Sequence, residues 1–512
     1  MNLNRFCRRG RNSRDRSLAL GAALLATLAC TPAVHSQLPA IDALPDSGCA
    51  TTPATGKRRF DVGPGQTFSE LTQVPWLSLR GGDVVNIHYR PEPYRTKLLI
   101  SAQASARAPI VVNGVTDAQC RRPVITGENA VPSDDAARRG AYNQWPEALA
   151  TILLWGPWGQ TPRVVEIRDL AITGARAGVE FRKQDGGTGR FGAGSSGIHG
   201  AAVEDILIEN CEISGNGNGI FVNTKNDSEQ ETSYRITMRR NLLHNNGNVG
   251  RWFEHNLYVQ AVRPLYEGNY IGQLIPGAVG SSLKDRSSGT IIRYNTIIAA
   301  ARALDLVETE GGSTTVFRDP AYHDAWVYGN VIISDHTREA VASAKLIHWG
   351  GDNTPKYFRN GTLHFYHNTV VTRGDQAGGP WRLHVFDMPG KQKVELRGNV
   401  FWHSGSTQLQ LGNEHGTLAF ADNNWISRGW QLGHDLANDI VMTKSGRLIE
   451  GDAPAFGAGF VPAADSPLLD QAGAPPPELA SRWIDRQITG LGALGPRPTG
   501  GTGADLGAIE RP

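Results

Sequence analysis

The chain carries little charge and no surplus of either sign. Only 20% of its 512 residues are Asp, Glu, Lys or Arg, and 51 Lys+Arg nearly balance 49 Asp+Glu. A nucleic-acid binder normally shows a basic surplus, so that class of partner is excluded. Cysteine (5) and methionine (4) are scarce. No two cysteines have CxxC spacing, which argues against a thiolate metal site. Long helices are disfavoured by 60 Gly and 29 Pro, since an interior Gly costs about 1 kcal/mol in a helix. Beyond the N-terminus no apolar run is long enough for a membrane helix, so no membrane insertion is expected. What is present is a 40% hydrophobic chain of near-zero net charge, which can bury a large core and is not disordered.

Residues 1–36 stand apart. Arg5, Arg8, Arg9, Arg11, Arg14 and Arg16 precede the short apolar run Leu18–Ala29, and Val34-His35-Ser36 suits cleavage before Gln37. This is the pattern of a secretory signal peptide. A lipoprotein signal at Cys30 competes, but Thr27-Leu28-Ala29 is a poor lipobox. A secreted or periplasmic protein is expected. Removing six Arg and one Asp leaves 45 basic and 48 acidic residues, net −3. Cys49 and Cys120 both lie in the N-terminal segment and are the expected disulfide, with Cys211 left as a buried thiol.

The middle of the chain repeats one phrase: a β-branched run, an Asn, then another apolar strand. It reads ILIENCEIS at Asn210, ITMRRNLLH at Asn241, YEGNYIG at Asn269 and IIRYNTII at Asn295. WVYGNVII at Asn330, LHFYHNTVV at Asn368, VELRGNVFW at Asn399 and AFADNNWIS at Asn423 or Asn424 follow. Successive gaps are 31, 28, 26, 35, 38, 31 and 25 residues, the last taken to Asn424. VEIRDLAITG, with Asp169 in the Asn place, is a degenerate earlier copy. Such periods mean stacked supersecondary units. A propeller blade needs four strands and roughly 40 residues; the shorter gaps favour a solenoid with loops inserted into some coils. The expected fold is all-β, a single right-handed parallel β-helix over 130–430. An N-terminal cap with the first coils covers 37–129, and an irregular C-terminal capping segment covers 431–512. Thr67–Val74 is a candidate capping helix, and Gly81-Gly82-Asp83 a turn before VVNIHY. The repeated Asn are read as structural: they tolerate the left-handed turn conformation and can stack in ladders.

Alternation along a strand sends residues in and out by turns. GIFVNTK puts Ile220 and Val222 inside and Phe221, Asn223 and Lys225 outside. HNLYVQ puts Leu257 and Val259 inside and Asn256, Tyr258 and Gln260 outside. GSSLKDRS turns Ser282, Lys284 and Arg286 outward, and ALDLVE turns Asp305 outward. If these strands stack, Tyr258, Lys284 and Asp305 form one column, with neighbours about 4.8 Å apart. An amine between a phenol and a carboxylate, with a guanidinium nearby, suits β-elimination on a uronic acid. That reaction needs a base for the C5 proton, a cation for the sugar carboxylate and an acid for the leaving O4. Lys284 is the candidate base in its neutral form, which a neighbouring cation favours. Arg286 is the candidate carboxylate clamp, and Tyr258 or His255 the proton donor. Asn223, Lys225, Asn256 and Gln260 are candidate substrate contacts.

Three other readings compete. A glycoside hydrolase needs two carboxyls, and Asp305 could pair with Glu308, Glu310, Asp285 or Glu254. A C5-epimerase begins with the same proton abstraction. A non-catalytic carbohydrate-binding solenoid would use aromatics such as Trp155, Trp158 and Trp252. The pair His364 and His367 faces opposite sides of one strand, which is poor geometry for a metal. No cofactor is fixed by the sequence. Calcium stays open, because its converging oxygens are not visible in a sequence. A monomer acting on a polysaccharide is expected.

The opening GPGQTFSEL, GGDVVNI and APIVVNGV, and the ending ADSPLLDQAG with ADLGAIE, resemble pectate-lyase-like right-handed parallel β-helix proteins. The nearest likeness is to the chondroitinase B and alginate lyase branch, polysaccharide lyase family 6. LKDRSSGTIIRYNT resembles that family's catalytic-Lys segment, which implies Lys284 for the Lys and Arg293, Asn295 and Thr296 for the following turn. The chain departs where Asp285-Arg286 replaces two Ser, where the spacing is two residues longer, and where Asp305 stands near the family's next Arg. The family's calcium-binding Asn-Gly-x-Glu motif is also not evident.

Overall fold

The computed structural model describes residues 49–512 apart from 144–146, 157–160, 225–228, 311–312, 336–344, 376–381, 434–438, 491–492 and 499. The expected signal peptide over 1–36, Lys225 and Trp158 lie outside the described residues. Short strands wind into a right-handed parallel β-helix of three sheets. One coil shows the path. Tyr234–Arg239 lies in the first sheet, Leu242–His244 in the second and Leu257–Val259 in the third, and Leu265–Glu267 returns to the first. The pairing between coils is parallel and in register, as with Tyr234–Arg239 on Glu204–Glu209. Inward residues of the third sheet stack as Ile152, Ile198, Ile220, Leu257, Leu283, Leu304, Ile347 and Phe386, all fully buried. The stack is one continuous apolar core that no single coil could bury alone.

The turn between the first and second sheets divides two jobs that the sequence assigns to one residue. Asn241, Asn269, Asn295, Asn330, Asn368, Asn399 and Asn424 form a buried ladder. In it each backbone N–H and side-chain amide donates to the next Asn Oδ1, as from Asn295 to Asn330 at 2.9 Å and from Asn330 to Asn368 at 3.1 and 3.0 Å. The left-handed residue is the one before: Arg240, Gly268, Tyr294, Gly329, His367 and Gly398 have φ between 48° and 65°. Asn210 therefore does not join the ladder as expected. It takes the left-handed place, φ 51°, as Asp169 does at 58°, and Cys211 stands at the ladder position, donating its N–H to Asn241 at 3.0 Å. Burial pushes the Cys211 thiol up to about 12.

The first coil begins at Arg58–Val62, within the segment 37–129. The expected capping helix is a single 3-10 turn, Leu71–Gln73, because Pro75 disfavours helix at Val74; fully buried Trp76 covers the core there. Cys49 and Cys120 are joined, with Cα atoms 4.5 Å apart. Strands persist through Leu448–Gly451, past the boundary at 430. The remaining C-terminal chain is a strap along the outside rather than an end cap. Trp483 stacks on Tyr366 at 5.3 Å, Tyr366 on Tyr328 at 4.6 Å, and Tyr294 donates to Asp485 at 2.7 Å. Outward aromatics of the first sheet thus gain an apolar cover.

Candidate active site

The outward column of the third sheet runs Leu153, His199, Phe221, Tyr258, Lys284, Asp305, His348, Asp387 and Asn413. Tyr258, Lys284 and Asp305 are thus adjacent, at the point where the column changes from aromatic to charged. They line a cleft of about 600 Å3 together with Trp252, Phe253, His255, Arg286, Arg302, Glu310 and Asp352. Trp252 and Phe253 are 53% and 73% exposed at its rim.

Lys284 donates to Asp305 Oδ2 at 2.5 Å, with Asp352 3.7 Å away. The other oxygen, Asp305 Oδ1, meets His348 Nδ1 at 2.9 Å and Arg302 at 3.4 Å. Burial alone would raise the Asp305 carboxyl; Lys284, His348 and Arg302 instead hold it well below the usual carboxylate range. Arg286 donates to the Glu308 carbonyl at 2.7 Å, to Tyr258 Oη at 3.2 Å and to Asp352 at 3.4 Å. The Tyr258 hydroxyl donates to Glu310. Burial, reinforced by Glu310, pushes this phenol up against the pull of Arg286, so it stays protonated.

His255, the alternative proton donor to Tyr258, is held neutral. Its ring is 2% exposed, and burial, then Lys284, pull it down to about 3. Nδ1 accepts the Ser281 N–H at 2.8 Å, which puts the single proton of the neutral ring on Nε2. That atom has no partner among the described residues. The ring stands edge-on to Tyr258 at 5.3 Å.

The expected substrate contacts fare unevenly. Asn256 is buried, not outward: its amide donates to Gly272 at 2.8 Å and its Oδ1 accepts from Asn246 at 2.9 Å. It sits in the bend before the three-residue strand, where alternation does not yet apply, and Ser282 repeats this one coil later by donating to Ile298 at 2.8 Å. Gln260 grips the backbone of Glu310. Asn223 is half-buried and does not line the cleft. The segment VRPLYEG holds the strand Leu265–Glu267.

Two carboxylates weighed for hydrolysis are structural. Asp285 points into the solenoid, fully buried, pairing with Arg359 at 2.8 Å and accepting from Tyr266 at 2.8 Å. Glu308 accepts the backbone N–H groups of Asp352, Asn353 and Thr354 at 2.7 to 2.8 Å, which pins that loop over the cleft. Asp352, His348 and Asp387 are the additions. The same alternation finds His348 in KLIHW and Asp387 in VFDM, whereas Asp352 comes from a loop and has no periodic signal. His364 stacks on Trp326 at 5.5 Å. Among the described residues no group of three His, Cys, Asp or Glu is placed to hold a metal, and no helix is long and apolar enough to cross a membrane.

No protein-family model and no curated protein matches the chain. Among solved structures it is similar to an alginate lyase from Paenibacillus sp. str. FPU-7, with 12% identity, TM-score 0.39, and 72% of this chain and 94% of that one covered. It is likewise similar to pectate lyase Pel9A, with 12% identity, TM-score 0.41 and coverage of 91% and 99%. A GH136 lacto-N-biosidase from Eubacterium ramulus matches at 10% identity, TM-score 0.40 and coverage of 77% and 68%. The fold itself rests on the strand registers above: a right-handed parallel β-helix.

Proposed function

We propose that the protein is a carbohydrate-active enzyme that acts after export and cleaves a uronic-acid polysaccharide by β-elimination. The observation that carries this reading is the stack of Tyr258, Lys284 and Asp305 in one register column, with Arg286 facing the same cleft. Arg286 pairs with the sugar carboxylate and stabilises the charge that develops there. Lys284 takes the C5 proton once its ammonium has given a proton to solvent. The C5–H electron pair becomes the C4=C5 double bond, the C4–O bond breaks, and Tyr258 protonates the leaving oxygen. Asp305 holds Lys284 in line. Its two oxygens are committed to Lys284 and to His348 with Arg302, and as an ionised group it cannot be a hydrolase's acid.

The test is incubation of the exported protein with anionic and neutral polysaccharides. New ultraviolet absorbance from the unsaturated uronate is expected. Reducing ends without it would mean hydrolysis, C5 inversion without cleavage would mean epimerisation, and binding alone would mean a carbohydrate-binding solenoid.

A further inference from the structure

Glu310 differs from the other carboxylates around the cleft in its exposure. Its side chain is 64% exposed, against 31% for Asp352, 3% for Asp305 and 2% for Glu308. An exposed carboxylate gains little from an ion pair, because fixing a long side chain costs entropy. Here the backbone beneath it is clamped. The buried Gln260 accepts the Glu310 N–H at 2.6 Å and donates to its carbonyl at 3.4 Å. The carboxylate so delivered accepts the Tyr258 hydroxyl proton and lies 3.7 Å from Arg286 Nε. An anion supplied by the chain therefore engages Tyr258 and Arg286 together.

We propose that Glu310 is a placeholder for the substrate: its carboxylate occupies the seat that a uronate carboxylate takes, and swings into water when the substrate arrives. Exchanging one carboxylate for another keeps the buried guanidinium of Arg286 compensated in both states. A neutral sugar offers no such exchange and leaves the contact closed, so Glu310 determines specificity by what it requires of its competitor. The inference rests on the uronate reading.

The test is calorimetric binding of a hexauronate, and of the same hexamer with its carboxyls reduced to alcohols, to Lys284→Gln and to Lys284→Gln/Glu310→Gln, which removes turnover from the measurement. Losing the competitor should tighten hexauronate binding about tenfold, the scale of one hydrogen bond to a charged group, and change the reduced hexamer less than about twofold. No gain for the hexauronate, or an equal gain for both ligands, overturns the proposal. So does a loss of more than about 100-fold in kcat for Glu310→Gln alone, which would make Glu310 a base. If hexauronate binding tightens but the wild type produces no double bond, elimination falls and the placeholder stands. If the wild type eliminates and Glu310→Gln gains nothing, the reverse holds.

Discussion

Two stacks run along this solenoid with the same coil-to-coil spacing, and they are built by opposite rules. The ladder from Asn241 to Asn424 repeats one residue, fully buried, and each member satisfies the next. The column on the third sheet repeats nothing: phenol, amine, carboxylate, imidazole and carboxylate follow one another from Tyr258 to Asp387. Identity at a fixed place is what backbone geometry requires of a turn. Difference at a fixed place is what a reaction requires, since base, acid and cation must be unlike groups a few ångströms apart. A parallel solenoid gives both at once, because registration that stacks like on like also aligns unlike side chains.

The sharpest separation of the two stacks is expected at Lys284. Lys284→Gln keeps an amide donor for Asp305, so the melting temperature should move by only a few degrees. Turnover should fall 100- to 10,000-fold, about 3–5 kcal/mol in the barrier. Full activity in this variant would show that the column, like the ladder, is only structural. The opposite lesion is Asn330→Ala. It orphans donors on Asn295 and acceptors at Ile292 and Tyr328, and should cost about 4 kcal/mol of stability by denaturant titration. Activity per folded molecule should survive. Loss of activity at unchanged stability would collapse the distinction.

The pattern of repeats was readable because a turn ladder demands one residue type, and the column because strand alternation places Tyr258, Lys284 and Asp305 without any side-chain detail. Alternation stopped working at strand ends. Asn256 belongs to a bend, and there a buried Asn with Gly272 and Asn246 as partners looks in sequence like an outward polar residue. Asp285 misleads for another reason: a charge inside an apolar core is tolerated because Arg359, 74 positions later in the chain, arrives to pair with it. Nothing local announces that arrival. The cleft's roof was equally hidden, since Glu308 reaches it by capping the backbone of a loop 44 to 46 residues away.

His255 lies beside the column but is buried like a ladder residue, and its pH response tells the two apart. In the folded state it is pulled down to about 3, whereas an unfolded His titrates near about 6.5. Between those values the unfolded chain binds the extra proton, so stability falls as pH falls. Between pH 7 and about pH 4 His255 should contribute about 3 kcal/mol of this loss, beside the share of other buried imidazoles such as His367, and His255→Gln should remove that contribution. Denaturant titrations of both proteins at the two pH values measure this. A variant as acid-sensitive as the wild type would mean that the ring is open to water.

The smallest effect is the most discriminating about the repeat itself. Asn210 and Asn241 occupy what reads as the same place in ILIENCEIS and ITMRRNLLH, yet only Asn241 lies in the ladder. Asn210 sits one residue earlier with φ 51°, half-buried, its amide on Asp169 at 2.5 Å and its Oδ1 accepting from Arg122 at 3.0 Å. Glycine at this position relieves the left-handed backbone, which favours it by up to about 1 kcal/mol, but loses two hydrogen bonds of partly exposed groups. The terms nearly cancel, and Asn210→Gly should change stability by about 0.5 kcal/mol or less. Asn241→Gly has no such compensation, because its φ is not left-handed and its side chain holds Ile208 at 2.8 Å and Asn269 at 3.1 Å; it should cost several-fold more. Equal losses at both positions would put Asn210 back into the ladder and Cys211 out of it. Unequal losses would show that position within the turn, and not the recurrence of Asn, decides which copies carry the stack.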